Sequence, residues 1–354
     1  MEPTPPGCRP QRLIDLMRAA LTRCDLDLSG NVVLTEAASG TYVVTPVLAA
    51  LAGARRVFAL TRDSRHGSVE AIARTTYELA RLATVSERIE ILRERRKELV
   101  VQADIVTNSG HVRPIDADLV AGLKPTAVIP LMYEAWELRA ADVDVAACRQ
   151  RHIPVAGTNE RHPAVDVFAF LGIMAMRLLL DAGIAVYGSH VVVWCDNPFR
   201  PFLVERLTQA GAVVHTIDRL DDGEGAHSDA ILVALRPRVH PVVGAFEAEA
   251  IARRYPRALV AQFWGDMDRA ALEQWGVPFW PVESPPAGHQ GILPSRIGPE
   301  PIVRLQAGGL KVGQVMAEVR RERSASGASH DAAIAAAVAS GFGQALLGRS
   351  HETG

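Results

Sequence analysis

The chain has 354 residues, 48% of them hydrophobic and 22% charged, enough to bury a large core and, at roughly 150 residues per domain, to form two domains. A formal net charge of −2 offers no basic footprint for nucleic acid or for an anionic membrane. Four widely spaced cysteines (Cys8, Cys24, Cys148, Cys195) form no CxxC pair, which argues against a disulfide framework or a zinc site and for a reducing cytoplasm.

In chain order, MEPTPPGCRPQR lacks the apolar core of a signal peptide, and the two ends, MEPTPPG and GRSHETG, read as disordered tails. After an amphipathic start from Gln11 to Arg23, apolar runs alternate with helical patterns. Strands are expected at NVVLTE (31–36), RVFALT (56–61), RIEIL (88–92), DIVTN (104–108), TAVIPLM (126–132) and IPVAGT (153–158). Helices are expected near 42–53, 68–83, 94–102, 115–122 and 142–151. Strand then helix, repeated, is the pattern of a parallel sheet covered on both faces.

A long helix is expected over 163–181. Its apolar run, Val165 to Leu180, is too short to span a bilayer and carries Asp166 and Arg177. A second set of strands follows at HVVVWC (190–195), AVVHTI (212–217), AILVAL (230–235), ALVAQF (258–263) and VPFWPV (277–282), separated by helices near 199–210, 245–254 and 268–274. From Glu300 to Leu347 the chain reads as helical, with an Ala-rich stretch at 332–339, and could pack back on the first domain. The expected fold is α/β: two doubly wound, Rossmann-like parallel-sheet domains with a cleft between them. Their bounds are 1–183 and 184–300, followed by a C-terminal helical segment over 301–354 that ends in a disordered tail.

In open α/β sheets, ligands sit beyond the carboxyl ends of the strands. There the sequence places Glu36 after the first strand, and Asp63, Arg65 and His66 after the second. Asn108, Ser109, Gly110 and His111 follow the fourth, Glu134 and Glu137 the fifth, and Asn159, Glu160 and His162 the sixth. Such groups are costly to bury unpaired, so their convergence suggests a cleft with chemistry. Glu134 and Glu160 are candidate general acids or bases whose pKa values crowding could raise, and His111 and His162 are candidate proton carriers. Asn108, Ser109, Asn159 and Glu137 are candidate substrate ligands, the asparagines as orienting or oxyanion-stabilising groups. Each has a plainer alternative: Glu36 or Ser39 as a helix cap, Asn159 as a turn residue, Glu160 and His162 as solvated groups. Glu134, Glu160, His111 and His162 contain no helix-spaced ligand pair, which argues against a metal site.

Residues 191–218, VVVWCDNPFRPFLVERLTQAGAVVHTID, carry the strand, turn, helix, second strand and terminal acid (Asp218) of a dinucleotide-binding unit. Where the fingerprint wants G-x-G-x-x-G, the turn runs from Cys195 to Arg200 without a glycine. Asn197 and Arg200 put side chains where the phosphate and the close helix packing belong, and Asp196 repels a phosphate. Ordinary NAD binding at 195–200 is therefore disfavoured, although Arg200 could meet a phosphate from another direction. Cys195 could be a thiolate activated by the helix dipole or a small apolar strand-end residue. Asp196 and Asn197 are instead candidate substrate ligands facing the cleft.

TEAASGTYVVTPVLAALAGARRVFALTRD (35–63) is a second strand–turn–helix–strand–acid unit, with Glu36, Ser39, Gly40 and Asp63 as candidate cofactor ligands. Its small residues suit an adenosine without pyrophosphate, such as S-adenosylmethionine, better than NAD. Late in the chain, PPAGHQGILPSRIGPEPIVRLQAGGLKVG (285–313) could close as a lid, bringing His289 to a substrate, or could be only the crossover back to the first domain.

Three stretches carry a resemblance to the D-2-hydroxyacid dehydrogenase superfamily, from about Ala103 to Glu283: ADIVTNSGHVRPIDADLVAGLKPTAVIPL, DVDVAACRQRHIPVAGTNERHPAVDVFAFLGIMAMRLL, and the 191–218 unit. The resemblance implies a formate/glycerate-dehydrogenase-like catalytic domain with an inserted Rossmann domain, a dimer and a nicotinamide cofactor. The family's substrate-binding arginine would fall at Trp264 or Gly265, and its His/Glu relay near Glu283 and His289. In outline the first domain also resembles the Rossmann-type pyridinol methyltransferases of iron–guanylylpyridinol cofactor synthesis, through TNSGHVRPIDADLVAGLKPTAVI.

The reading is a cytoplasmic enzyme performing non-redox acid–base or group-transfer chemistry on a polar small molecule in the cleft, as a homodimer, with neither nucleic acid nor membrane as partner. The alternatives are an NAD(P)-dependent oxidoreductase with an altered cofactor turn, an S-adenosylmethionine-dependent methyltransferase, and a non-catalytic binding or scaffold protein.

Overall fold

The computed structural model describes residues 6–64, 66–222, 225, 227–322 and 330–346; Arg65 and the expected terminal tails, apart from Pro6 and Gly7, lie outside these residues. Two compact units divide the chain, one of Met1–Val167 with Gly298–Gly354, the other of Phe168–Ile297. Among the described residues no helix is long and apolar enough to cross a membrane.

In the first unit, β1 (Val32–Glu36), β2 (Arg56–Leu60), β3 (Ile89–Leu92) and β4 (Ile105–Val106) form a parallel sheet in the order β3-β2-β1-β4. β5 (Ile129–Pro130) pairs in parallel with β6 (Val155–Thr158). A parallel bridge between Ile105 and Val128, with Val106 N–H to Val128 O at 2.9 Å, joins the two sets into one sheet. The resulting order, 3-2-1-4-5-6, is that of dinucleotide-binding folds, with its switch point between β1 and β4. The strands are buried on both faces. Val33, Val57 and Ile105 enter one core cluster, Val32, Leu34 and Phe58 the other, as two-residue alternation requires.

The first cluster is covered by α1 (Pro10–Cys24), α2 (Val44–Leu51), α3 (Val69–Leu82) and α11 (Glu300–Glu322). α11 lies unusually near the sheet because of its glycines: a Cβ on Gly309 would overlap Met132 Sδ, and one on Gly313 would lie 2.8 Å from Ile105 Cγ2. The other face carries α4 (Lys97–Val100), α5 (Ala117–Gly122) and α6 (Val145–Gln150). Asp116 and Asp144 start α5 and α6 by accepting the N–H of Leu119 and Ala147.

The second unit has β7 (His190–Cys195), β8 (Val213–Ile217), β9 (Ala230–Ala234), β10 (Leu259–Trp264) and β11 (Phe279–Trp280), parallel in the order β11-β10-β9-β7-β8. Its helices are α7 (Leu171–Asp181), α8 (Arg200–Gln209), α9 (Ala245–Arg254) and α10 (Arg269–Gln274). Its switch point lies between β7 and β9.

Two expectations need correction. The helix expected over 163–181 begins only at Leu171, after a 3-10 turn at Phe168–Phe170. Asp166 sits at φ 49°, and Val167 N–H turns back to Glu160 O at 2.8 Å, so 163–167 is a tight return that breaks the helix. The tail is not wholly helical: after α12 (His330–Ala339) comes β12 (Gly343–Ala345), antiparallel to β6. The stretch 285–313, read as a lid or a crossover, enters α11 at Glu300, as the helical reading from that residue expects. Upstream, Gly288 N–H bonds Asp266 Oδ1 at 3.0 Å and Gly291 N–H bonds Phe263 O at 3.0 Å, pinning that segment to the end of β10.

Candidate functional site

The carboxyl ends of β5 and β6 bring three glutamates together. Glu134 stands four residues past β5, begins a 3-10 turn at Ala135–Glu137, and is fully buried. Its Oε1 pairs with Arg161 Nε at 3.1 Å, and its Oε2 takes the Trp136 indole N–H. Glu137 N–H bonds Glu134 O at 3.0 Å, and the Glu137 and Glu160 carboxyl groups both feel the Glu134 charge.

Burial, then the charge of Glu134, pushes Glu137 up to about 8. Burial, then the charges of Glu137 and Glu134, pushes Glu160 well above the ordinary carboxylate range. Burial and crowding thus favour the protonated forms of this pair, against the opposing charges of Arg139 and Arg161. Arg161 and Trp136, the groups that fix Glu134, were not among the sequence candidates. Their signal was adjacency, in NER and EAW, because short strand-end loops return neighbouring side chains to one site.

A second polar group occupies the switch point between β1 and β4. Glu36 is buried, and its Oε2 accepts the His111 N–H at 3.0 Å. Burial raises its pKa, and burial, then the Glu36 charge, raises Tyr42 to about 12. A Cβ on Gly110 would lie 2.8 Å from Glu36 Oε2, so only glycine brings this backbone so near. Thr35, Thr107 and Ser109 form a hydroxyl chain with steps of 2.8 and 2.9 Å. Asn108 Oδ1 accepts Met132 N–H at 2.7 Å, linking the ends of β4 and β5, while its buried Nδ2 has no partner among the described residues. His111 is pushed down by burial and by Arg62.

The other candidates are placed as follows. Asn159 is a turn residue: its Nδ2 bonds Gly341 O at 2.9 Å, its Oδ1 takes Arg161 N–H at 3.2 Å, and its N–H bonds Phe342 O at 2.7 Å. His162 stacks on Phe342 at 3.9 Å between ring centroids, its Nδ1 accepts Ala164 N–H at 3.1 Å, and burial lowers its pKa. Asp63 Oδ1 accepts Val69 N–H at 2.8 Å, at the start of α3. Gly40 turns at φ 63° with open space around it, and Ser39 precedes the 3-10 turn without a side-chain capping bond. The sequence-expected proton carriers are thus dispersed: Glu134 with Glu137 and Glu160, His111 with Glu36, His162 against Phe342. Among the described residues no metal-binding cluster of His, Cys, Asp or Glu occurs.

In the second unit, side chains fill the altered turn. Asn197 Nδ2 spans the switch point to Ala234 O at 2.6 Å, and its Oδ1 takes Phe199 N–H at 3.0 Å. Asp196 Oδ1 takes Arg236 N–H at 2.9 Å. Arg200 bonds Cys195 O through Nε at 2.9 Å and pairs with Asp218, the strand-end acid. Cys195 is buried, its thiol pushed up by burial, and Sγ–H points to Asn197 O at 3.6 Å. That is the environment of a thiol, not of an activated thiolate. His289 N–H closes a turn onto Pro286 O at 2.9 Å.

No protein-family model matches the chain, and no curated protein matches it in sequence. Solved structures do. One of them, a dipicolinate synthase polypeptide from Bacillus halodurans, superposes with a TM-score of 0.52 at 12% identity, over 83% of this chain and 99% of that one. The chain shares the two-domain, Rossmann-like α/β fold of that polypeptide. A putative D-3-phosphoglycerate dehydrogenase from Ralstonia solanacearum gives 0.49 at 11% identity, over 87% and 99%. The NAD-dependent formate dehydrogenase from Staphylococcus aureus, in complex with NAD, gives 0.43 at 14% identity, over 76% and 94%.

The sequence resemblance to D-2-hydroxyacid dehydrogenases would place a nicotinamide dinucleotide on the turn after β7. The residues there do not fit one. A pyrophosphate crossing the switch point meets the Asn197–Ala234 bond and the Asp196 carboxylate instead of bare glycine N–H groups, and the acid that would bind a ribose is paired with Arg200.

Proposed function

We propose that this chain is a small-molecule enzyme whose chemistry is proton transfer by the Glu137–Glu160 carboxyl pair on a polar substrate, in non-redox acid–base or group-transfer chemistry. The observation that carries this reading is the clustering of Glu137 and Glu160 with the buried Glu134, whose charge bears on both, beside the Glu134–Arg161 ion pair. A carboxyl with a pKa near 8 is a competent general acid at neutral pH, and its conjugate base is strong enough to take a proton back. The unpartnered amide of Asn108 supplies a buried donor for a substrate oxygen.

A second reading, an NAD(P)-dependent oxidoreductase of the D-2-hydroxyacid dehydrogenase type, is favoured by the fold. In it the dinucleotide must enter by a route other than across Asp196 and Asn197. Thermal-shift titration with NAD, NADP, S-adenosylmethionine and S-adenosylhomocysteine separates the readings. Saturable stabilisation by NAD or NADP overturns the first and supports the second. Stabilisation by the adenosyl compounds alone retains group transfer and identifies the methyl donor.

A further inference from the structure

A cavity of about 350 Å³ opens at the carboxyl ends of β2 and β3, beside the switch point but distinct from the glutamate cluster. Its walls include Thr61 and Arg62, which follow β2 directly, and Arg93, Glu94 and Arg95, which follow β3. His111 and Asp116 complete the polar lining, so three guanidiniums face two carboxylates. The arginines differ in what they have left to give. Arg95 is fixed by Asp116 at 2.9 Å and by Val112 O at 2.8 Å. Arg93 pairs with Glu70 and is exposed. Arg62 uses only Nη2, on His111 O at 2.9 Å and Arg113 O at 3.2 Å, leaving Nε and Nη1 without a protein partner among the described residues.

A second observation points the same way. Thr61 is 2% exposed, its N–H is spent on Leu92 O, and its buried hydroxyl has no partner among the described residues. A buried hydroxyl left unmatched in a cavity wall costs free energy that a ligand oxygen would return. His111, on the same wall, is depressed partly by Arg62, so a positive field reaches that side of the cavity.

We propose that this cavity binds the phosphate group of a small molecule, through Arg62, Arg93 and the Thr61 hydroxyl, with Arg95 as the fixed wall. Donors from two strand ends and a hydroxyl surround a tetrahedral oxyanion; a planar carboxylate would need one fork aimed at it. The site is independent of the glutamate pair, and its failure would leave the proton-transfer reading intact.

The test is calorimetric titration of the full chain with inorganic phosphate, glycerol phosphate and acetate, with chloride holding ionic strength constant. Saturable binding of phosphate, of glycerol phosphate, or of both is expected, with the ester arm showing whether the cavity takes a substrate's phosphate or the free anion. Arg62→Gln and Thr61→Val should each weaken it about tenfold. Glu94→Gln should tighten it, and Arg74→Gln, exposed on α3, should leave it unchanged. Thr61→Val removes an unmatched polar atom at nearly constant volume, so folding is preserved and a loss of binding is readable. Absence of saturable phosphate binding, equal binding of acetate, or binding that survives the Arg62→Gln, Thr61→Val double variant would overturn the proposal.

Discussion

Glu134 Oε1 pairs with Arg161 Nε at 3.1 Å, and the Glu134 charge bears on the carboxyls of both Glu137 and Glu160. Burial and mutual charge disfavour ionising both carboxyls. The first consequence is in stability against pH. An acid raised above its unfolded value stabilises the fold fully below that value, 4.5, and the contribution is lost as pH rises toward about 8. The wild-type chain should therefore lose stability between about pH 5 and about pH 9 in urea titrations. The Glu137→Gln, Glu160→Gln double variant should show a flatter profile and greater stability at the alkaline end.

Removing the Arg161 guanidinium acts on the pair from outside. In Arg161→Gln, the guanidinium that pairs with Glu134 and lowers Glu160 is lost, and Glu160 rises further. The pH midpoint of any activity that depends on the pair should move up, whereas Glu134→Gln should move it down. Opposite shifts from two residues that touch one another are the check, read from the pH dependence of kcat/KM.

At the switch point, Gly110 and Glu36 should be coupled. Gly110→Ala places a methyl against Glu36 Oε2 and should cost about 1–3 kcal/mol. In a Glu36→Ala background the same substitution should cost less, with a coupling energy of about 0.5–3 kcal/mol from chemical denaturation.

In the second unit, Asn197→Ala removes the amide that ties the β7 turn to Ala234 O and should destabilise by about 1–3 kcal/mol. NAD should not raise the melting temperature of the wild-type chain through this turn. Arg200→Gly with Asn197→Gly, which reopens the phosphate space, is the variant in which any dinucleotide affinity should first become measurable.

Arg269 shows how a functional expectation gives way to packing. The D-2-hydroxyacid dehydrogenase resemblance wanted an arginine just after the fourth strand of the second unit, where Trp264 and Gly265 stand. Arg269, at the start of α10, instead clasps Gln262 Oε1 at 2.7 Å and the carbonyls of Pro281, Val282 and Glu283. Arg269→Ala should destabilise by about 2–4 kcal/mol and open 281–284 to protease, and lysine should recover only part, lacking the fork.

Much of the architecture could be read from the chain because parallel strands buried on both faces leave continuous apolar runs, as in NVVLTE and HVVVWC. β12 was hidden: Gly343, Gln344 and Ala345 have no strand preference, and only pairing with β6 and the Gln344 Oε1 bond from Ala135 N–H at 2.9 Å hold them extended. The helix expected from Pro163 was stopped by Asp166, whose left-handed backbone no periodicity predicts. Strand-end position sufficed to find Glu134, Glu137 and Glu160, but not that Asn159 and His162 are committed to the β12 turn, since those partners lie some 180 residues away in the chain. Thr61 and the arginines of the basic cavity escaped notice because ordinary arginines beside strand ends carry no signature until the fold sets them around one space.

The central claim is a proton held by the Glu137–Glu160 pair at neutral pH. It is tested most directly by a carbon-13 NMR titration of the glutamate side-chain carboxyls, assigned with Glu137→Gln and Glu160→Gln. The account predicts that Glu137 titrates near 8 and that Glu160 stays protonated well above the ordinary carboxylate range. Two independent titrations near 4.5 would contradict it.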